Sequence, residues 1–382
     1  MSHYDTIFHQ FNQLIPRGKF KEIVDRFHGD YKVRSFHCWA QLVALLYGQL
    51  TGQHSLRDLV TALRSCHRKL YHLGIRAISR STLSDANGLR PAEIYEALFY
   101  HLYGLCKGRK HFRFTLPLRI LDATVIPLCL SVFPWAKFRR RKGAIKLHAV
   151  LDADNQIPSF AVVTSARVHE INVARDMHIL PDSIIVFDRA YLDFCWLKAI
   201  HLQGAYFVTR IKRNTQYRVL DRQKANRVSG ITSDQTIRVT GAHAEVLSIE
   251  LRRVRYVDRE SGQAYLYLTN IHHLDALEIA NIYKARWEIE LFFKWIKQHL
   301  KIKSFLGTSR NAVMTQIWIA LILYLLLSYL RKLHGCQCTI YTLKKRLEVN
   351  VMERRPIADL LKDVMFKPPD TNERQIKLPI IL

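Results

Sequence analysis

The chain has 382 residues, too long for one small unit and enough for two or three with sizeable cores. Its 58 Lys and Arg against 32 Asp and Glu give a formal net charge of +26, which points to a polyanionic partner such as nucleic acid. A hydrophobic share of 49% excludes a disordered basic tail. The seven cysteines are scattered without regular spacing and read as reduced thiols of a cytosolic protein. Cys336 and Cys338 form the closest pair, and one intervening residue is a poor zinc spacing. The opening ten residues have no basic stretch followed by an apolar run, so no secretion signal is expected.

Residues 1–110 read as mostly helical. Helical periodicity runs through 36–49. Ser55 opens a second helix over 55–63 in capping-box fashion. Further helices are expected at 80–89 and 91–102. Cations recur through this part, among them Arg17, Lys19, Arg57, Arg64, Arg68 and Arg80. Short helices, polar turns and scattered cations fit a helix-turn-helix-like DNA-binding module, although a plain helical scaffold would look the same.

A basic linker at 107–113 leads into a strand over 116–121 that delivers Asp122. Propensity disfavours an aspartate inside a β-run, and burying its charge costs several kcal/mol unless it is paired or bound to metal. Capping of a turn is the competing account. Arg139, Arg140, Arg141 and Lys142 follow on the loop leaving that strand, where a phosphate backbone would lie. Strands at 144–151 and 157–164 flank a turn with Asp152 and Asp154, which turn chemistry explains without a metal. A helical stretch over 165–177 begins with His169 and Glu170, read as capping and dipole residues. The apolar run 183–187 is expected to be a strand covered on both faces, delivering Asp188, Arg189 and Tyr191. An acid at that position is where open α/β sheets place their chemistry. A helix over 192–203 and a strand over 206–209 follow.

The composition then changes. Residues 211–262 are basic, β-rich and punctuated by turns, and read as an insertion carrying a DNA clamp that begins at Arg210 and includes Lys212, Arg213, Arg252, Arg253 and Arg255. A strand at 265–269 returns to the core. Residues 283–297 carry no Gly or Pro and read as one helix. At about 100° per residue, Tyr283, Arg286, Glu290 and Lys297 share one stripe, with Trp287 at its edge. An Arg286–Glu290 pair on a solvated helix would be the plain reading. Residues 313–330 are long and apolar enough for a membrane span, but their closeness to the Glu290 helix favours a core helix. The tail, 334–382, reads as short helices.

The spacing Tyr283-x2-Arg286-x3-Glu290-x6-Lys297 resembles the YREK signature of bacterial insertion-sequence transposases of the DDE class, in the insertion-sequence-four family. The resemblance covers about residues 115–330. It implies an α/β architecture, an RNase-H-like catalytic domain with a mixed sheet flanked by helices; the β-rich insertion at 211–262 and the helical DNA-binding domain at 1–110 come from the residues themselves, and the first hundred residues resemble the family only loosely. The catalytic domain would occupy 111–210 and 263–333, and the tail 334–382. The resemblance implies Asp122, Asp188 and Glu290 as catalytic metal ligands for Mg²⁺, with Mn²⁺ able to substitute. Tyr283, Arg286 and Lys297 would hold phosphates beside the cleaved end, and Trp287 would be a platform for a flipped base. Arg140, Arg141, Arg189 and Arg210 are expected DNA contacts. The expected partners are double-stranded DNA, at element ends and target, and a second copy in a synaptic homodimer. The expected location is the bacterial cytoplasm at the nucleoid, with no membrane. A non-catalytic DNA-binding derivative and a nuclease without strand transfer stay open as alternatives.

Overall fold

The computed structural model describes residues 5–107, 114–139, 142–241, 244–299 and 305–362. The chain starts as a helical body: α1 (Ile7–Asn12), α2 (Arg17–Arg26), α3 (Cys38–Leu50), α4 (Leu56–Ser65), α5 (Arg80–Leu89) and α6 (Glu93–Cys106). Helices α4 and α5 begin where their capping serines dictate. Ser55 Oγ accepts from the Asp58 amide at 3.1 Å and Ser79 Oγ from the Thr82 amide at 3.0 Å, satisfying N–H groups that have no partner within the helix. Helix α3 is apolar around nearly its whole circumference and is buried accordingly.

Ten strands among the described residues form one sheet. They are β1 (Leu118–Leu128), β2 (Lys137–Arg139), β3 (Lys142–Asp152), β4 (Ile157–Ser165), β5 (Ile184–Phe187), β6 (Tyr206–Arg210), β7 (Gln216–Gln223), β8 (Ile231–Thr240), β9 (Leu251–Val257) and β10 (Ala264–Thr269). Two helices interrupt the series, α7 (Glu170–Arg175) and α8 (Phe194–Leu202). The spatial order is β2-β3-β1-β5-β6-β10-β9-β8-β7, with β4 also on β3. Strand β1 is antiparallel to β3 and parallel to β5, and β5 is parallel to β6, an RNase-H-like mixed sheet. Because side chains alternate along a strand, the sheet feeds two cores. Ile120, Ile126, Leu147, Ala149 and Val186 join the core shared with the helical body. Leu121, Val150, Ile185 and Phe187 meet Tyr191, Trp196 and Ile200 on the other face.

The β-rich stretch is not a separate layer. Strand β10 pairs with β6, and β9, β8 and β7 follow in turn, so the insertion prolongs the catalytic sheet. A buried ion pair fastens it: Arg252 reaches Asp234 through two nitrogens at 2.9 and 2.7 Å, and its third donates to the Leu274 carbonyl at 2.5 Å. The helical stretch expected over 165–177 shortens to α7, because residues up to Ser165 are held in β4 against β3.

The remaining helices are α9 (Ala276–Ala285), α10 (Trp287–His299), α11 (Arg310–Leu333), α12 (Ile340–Val349) and α13 (Ile357–Leu361). Helix α11 is long and apolar enough to cross a membrane, yet 89% of that apolar window is buried inside the protein. It packs on α3, α5, α6, α12 and β4. Asn311, at its start, donates to the Asn87 and Arg90 carbonyls at 2.9 and 2.6 Å and accepts from the Ala92 amide at 3.1 Å. The segment after α11 folds back onto the beginning of the chain. The Lys344 ammonium donates to the Leu50 carbonyl at 2.8 Å, and the Ile7 amide to the Glu353 carbonyl at 2.9 Å. Cys336 and Cys338, expected as free thiols, are paired with each other in a disulfide.

Candidate active site

The site starts from strand register. In the parallel pair β1–β5, Leu121 sits opposite Phe187, and the pairing stops there. Asp122 and Asp188 are the next residues along the two segments. Neighbouring strands lie about 4.8 Å apart, so Asp122, still on β1, and Asp188, one residue past the end of β5, start from adjacent positions. Both have the alternation phase of Ile120 and Val186, which face the core under α10. Strand β1 continues past Asp122 to Leu128, because β3 pairs with it along that whole length. The aspartate therefore sits within a strand rather than at its end.

Helix α10 lies against β1 and brings Glu290 to Asp122. The expected single helix over 283–297 is broken at Arg286, which joins α9 to α10. Its amide bonds the Tyr283 carbonyl at 3.0 Å, and its carbonyl receives the Ile289 amide at 3.3 Å, a tight three-residue turn on each side. Aromatic anchors fix both flanks. Tyr283 packs on Tyr267 with ring centroids 4.9 Å apart, and Phe292 meets Tyr324 edge-on at the same distance. The Arg286 backbone itself stays helical, with φ −52° and ψ −29°, so the interruption is a tightened turn within one helical path.

The turn aims the Arg286 guanidinium at two acids. One nitrogen donates to Asp122 Oδ2 at 3.3 Å and another to Glu290 Oε1 at 2.5 Å. This is no solvated pair, since the three side chains are only 17%, 20% and 33% exposed for Arg286, Asp122 and Glu290. Asp122 Oδ1 also accepts from the Ala123 amide at 2.8 Å. Burial pushes the Asp122 carboxyl up to about 6, helped by Glu290 and Asp188 and opposed by the Ala123 amide and Arg286. Burial likewise pushes the Tyr283 phenol up to about 12.

Asp122, Ala123, Thr124, Glu290, Lys294 and Lys297 line a cleft of about 350 Å³. A second cavity of about 780 Å³ adjoins it, walled by Arg210, Tyr265, Tyr267, Tyr283, Arg286 and Trp287. The Arg210 guanidinium lies 5.3 Å from the centre of the Tyr265 ring. The Trp287 side chain is 59% exposed, which removes it from the core. Arg189 is exposed immediately after Asp188. Arg140 and Arg141 lie outside the described residues. Asp152 and Asp154 are accounted for as turn and ion-pair residues: Asp152 meets Arg119 at 3.0 Å, and Asp154 accepts from the Leu118 amide at 3.3 Å. His169 caps α7 by accepting from the Ile171 amide at 3.4 Å, and Glu170 pairs with buried Lys146 at 2.7 Å.

Lys294 and Thr124 were not singled out from the sequence. Lys294 had a signal, standing one helical turn beyond Glu290. Tyr191 had none. It is buried with its hydroxyl unpartnered, and its phenol is raised by burial first, then by Asp122, Glu170 and Asp188.

Among the described residues, no three His, Cys, Asp or Glu side chains gather as a ready metal-binding group. Arg286 stands between two of the acids instead. The donor set is nonetheless the all-oxygen kind that suits Mg²⁺ or Mn²⁺. The raised Asp122 carboxyl marks a place where added positive charge is favourable.

Residues 113–326 match the family described as the transposase DDE domain, and residues 3–76 match a domain of unknown function, DUF4372. A Sinorhizobium fredii protein named as transposase y4zB is 35% identical over 76% of this chain and 81% of its own. A Geobacillus stearothermophilus protein named as the transposase of insertion sequence element IS5377 is 29% identical, over 67% of this chain and 68% of its own. A Synechocystis protein named for insertion sequence element IS4SA is 25% identical over 71% and 77%. Among solved structures, the piggyBac transposase synaptic complex with hairpin DNA aligns with 96% of this chain and 83% of that one. Its TM-score is 0.46 and its identity 12%.

Proposed function

The chain belongs to the transposase DDE domain family, and on that premise we propose that Asp122, Asp188 and Glu290 form its catalytic centre for cutting and rejoining insertion-sequence DNA. The observation that supports the reading is the β1–β5 register, whose last pair, Leu121 and Phe187, is followed directly by Asp122 and Asp188, together with Glu290, which lines the same cleft as Asp122. The three carboxylates would hold Mg²⁺, with Mn²⁺ substituting, and bound cations supply the charge that stabilises the attacking and leaving oxygens of an in-line displacement. Lys294 and Lys297, on the cleft wall, steady the phosphate being cut. Tyr283 and Arg286 hold the neighbouring phosphate of the cleaved end, and Arg189 and Arg210 track the backbone. Exposed Trp287 offers its face to a base turned out of the stack. Cut-and-paste transfer through a hairpin on the element end, by a synaptic homodimer, follows from the YREK resemblance.

Asp122→Asn, Asp188→Asn and Glu290→Gln are each expected to lower Mg²⁺-dependent cleavage by roughly 10³-fold or more, the scale set by losing preorganised charge stabilisation. Binding of terminal-repeat DNA should stay within a few-fold of wild type, read by gel shift. Full strand transfer by any of the three variants would overturn the assignment. Hairpinned ends would show as doubled-length strands on a denaturing gel, and their absence would leave direct strand transfer as the route.

A further inference from the structure

We infer that Arg286 is the resident counter-ion of the DNA-free site, and that a DNA phosphate must draw it away before Asp122 and Glu290 take divalent cations. This rests on the reading of those two acids as metal ligands. Its basis is geometric. The guanidinium bonds the very oxygens a cation would need, Asp122 Oδ2 at 3.3 Å and Glu290 Oε1 at 2.5 Å.

The arrangement leaves Arg286 incompletely satisfied. Its Nε is buried and has no hydrogen-bond partner, so one donor of the planar fork is unused. A buried donor without a partner costs about 1–3 kcal/mol, which favours a second position where all its donors are met. That position is at hand. Arg286 also lines the adjoining cavity, whose walls carry Arg210 and Lys284 and hold the Tyr283 ring 5.7 Å from the guanidinium. The same walls carry Asp258 and Glu288, so the cavity's net positive charge is small, and what favours a phosphate there is the bidentate geometry that arginine prefers. Arg286 is the single residue joining α9 to α10, and rotation about its side-chain torsions alone would swing the guanidinium from the acids to the cavity.

The consequence is a coupling. A guanidinium and a divalent cation compete for the same two carboxylates and repel each other. DNA that removes the first raises affinity for the second, and the cation raises affinity for DNA by the same factor. Free chain would then stay poorly loaded with metal, and the nuclease site would assemble only on an element end.

The test measures Mn²⁺ binding by electron paramagnetic resonance on the full chain, with and without a duplex of the element's own terminal repeat. Wild type should bind Mn²⁺ weakly alone and about tenfold more tightly with the duplex, within the usual range of coupling between sites. Arg286→Gln should bind Mn²⁺ about tenfold more tightly than wild type without DNA, and the duplex should add little. Arg286→Lys, which keeps the charge, should stay close to wild type in the DNA-free measurement. Mn²⁺ affinity of Arg286→Gln equal to or below wild type, or an equal DNA effect in both proteins, would overturn the inference. Asp122→Asn and Glu290→Gln keep the two questions apart: unchanged Mn²⁺ binding in those variants would instead sink their reading as ligands.

Discussion

A charged side chain in an apolar strand is the loudest single-residue signal in this chain. Asp122 and Asp188 could be read because burying an unpaired carboxylate is too costly to be accidental. Arg286 was legible as a partner of Glu290 but not of Asp122, since that contact spans 164 positions and depends on which strand α10 covers. His148 was silent in the sequence and makes a clear prediction. It is fully buried on β3, its Nε2 bonds the Thr164 hydroxyl at 3.0 Å, and its Nδ1 has no partner. Burial first, then Lys146, lower its pKa from 6.5 to about 4, so the folded protein keeps it neutral while the unfolded chain protonates. The sign follows: this stability is complete above about 6.5 and drains as pH falls towards 4, by up to about 3 kcal/mol. Urea unfolding at pH 7 and pH 5 should show about 2 kcal/mol of that loss in wild type, and a shallower pH dependence in His148→Gln. Equal slopes would show that the imidazole does not titrate this way.

At the scale of elements, helices with capping serines were located from sequence almost to the residue, because Ser55 and Ser79 act on amides three positions away. The interruption between α9 and α10 was not, since no Gly or Pro marks it and the Arg286 backbone stays helical at φ −52° and ψ −29°. The return of β10 to the core was legible, but not that β7 to β9 prolong the main sheet from it, because β6 meets β10 across more than fifty residues of chain. The Asp234–Arg252 pair tests how the insertion is secured. Both side chains are 4% exposed. Arg252→Met alone should destabilise by about 3–5 kcal/mol by stranding a buried carboxylate, while Asp234→Leu with Arg252→Met should recover most of that. Thermal melts of the single and double variants decide it, and additive losses would mean that the pair itself is strongly stabilising.

For the whole molecule, the sequence suggested units divided near residues 110 and 333, and hydropathy alone could not say which surfaces α11 would cover. That helix lies between α3 and α6 on one side and β4 on another, so helical body and catalytic sheet share one apolar core. A chain starting at residue 111 would leave the α11 surfaces that face α3 and α6 in water. It should aggregate or bind a hydrophobic dye, whereas the full chain should melt in one calorimetric transition. A soluble, monomeric fragment with a sharp melt would contradict the shared core. The unbroken ladder from β2 to β7 has a mechanical consequence. An arm grafted through a flexible neck could swing shut on a double helix; one that is hydrogen-bonded strand by strand to the catalytic floor can only flex with the floor itself. Were the insertion to grip an element end, as proposed for Arg210, the duplex would have to bend to fit it, and easily kinked end sequences would be cut in preference to stiff ones.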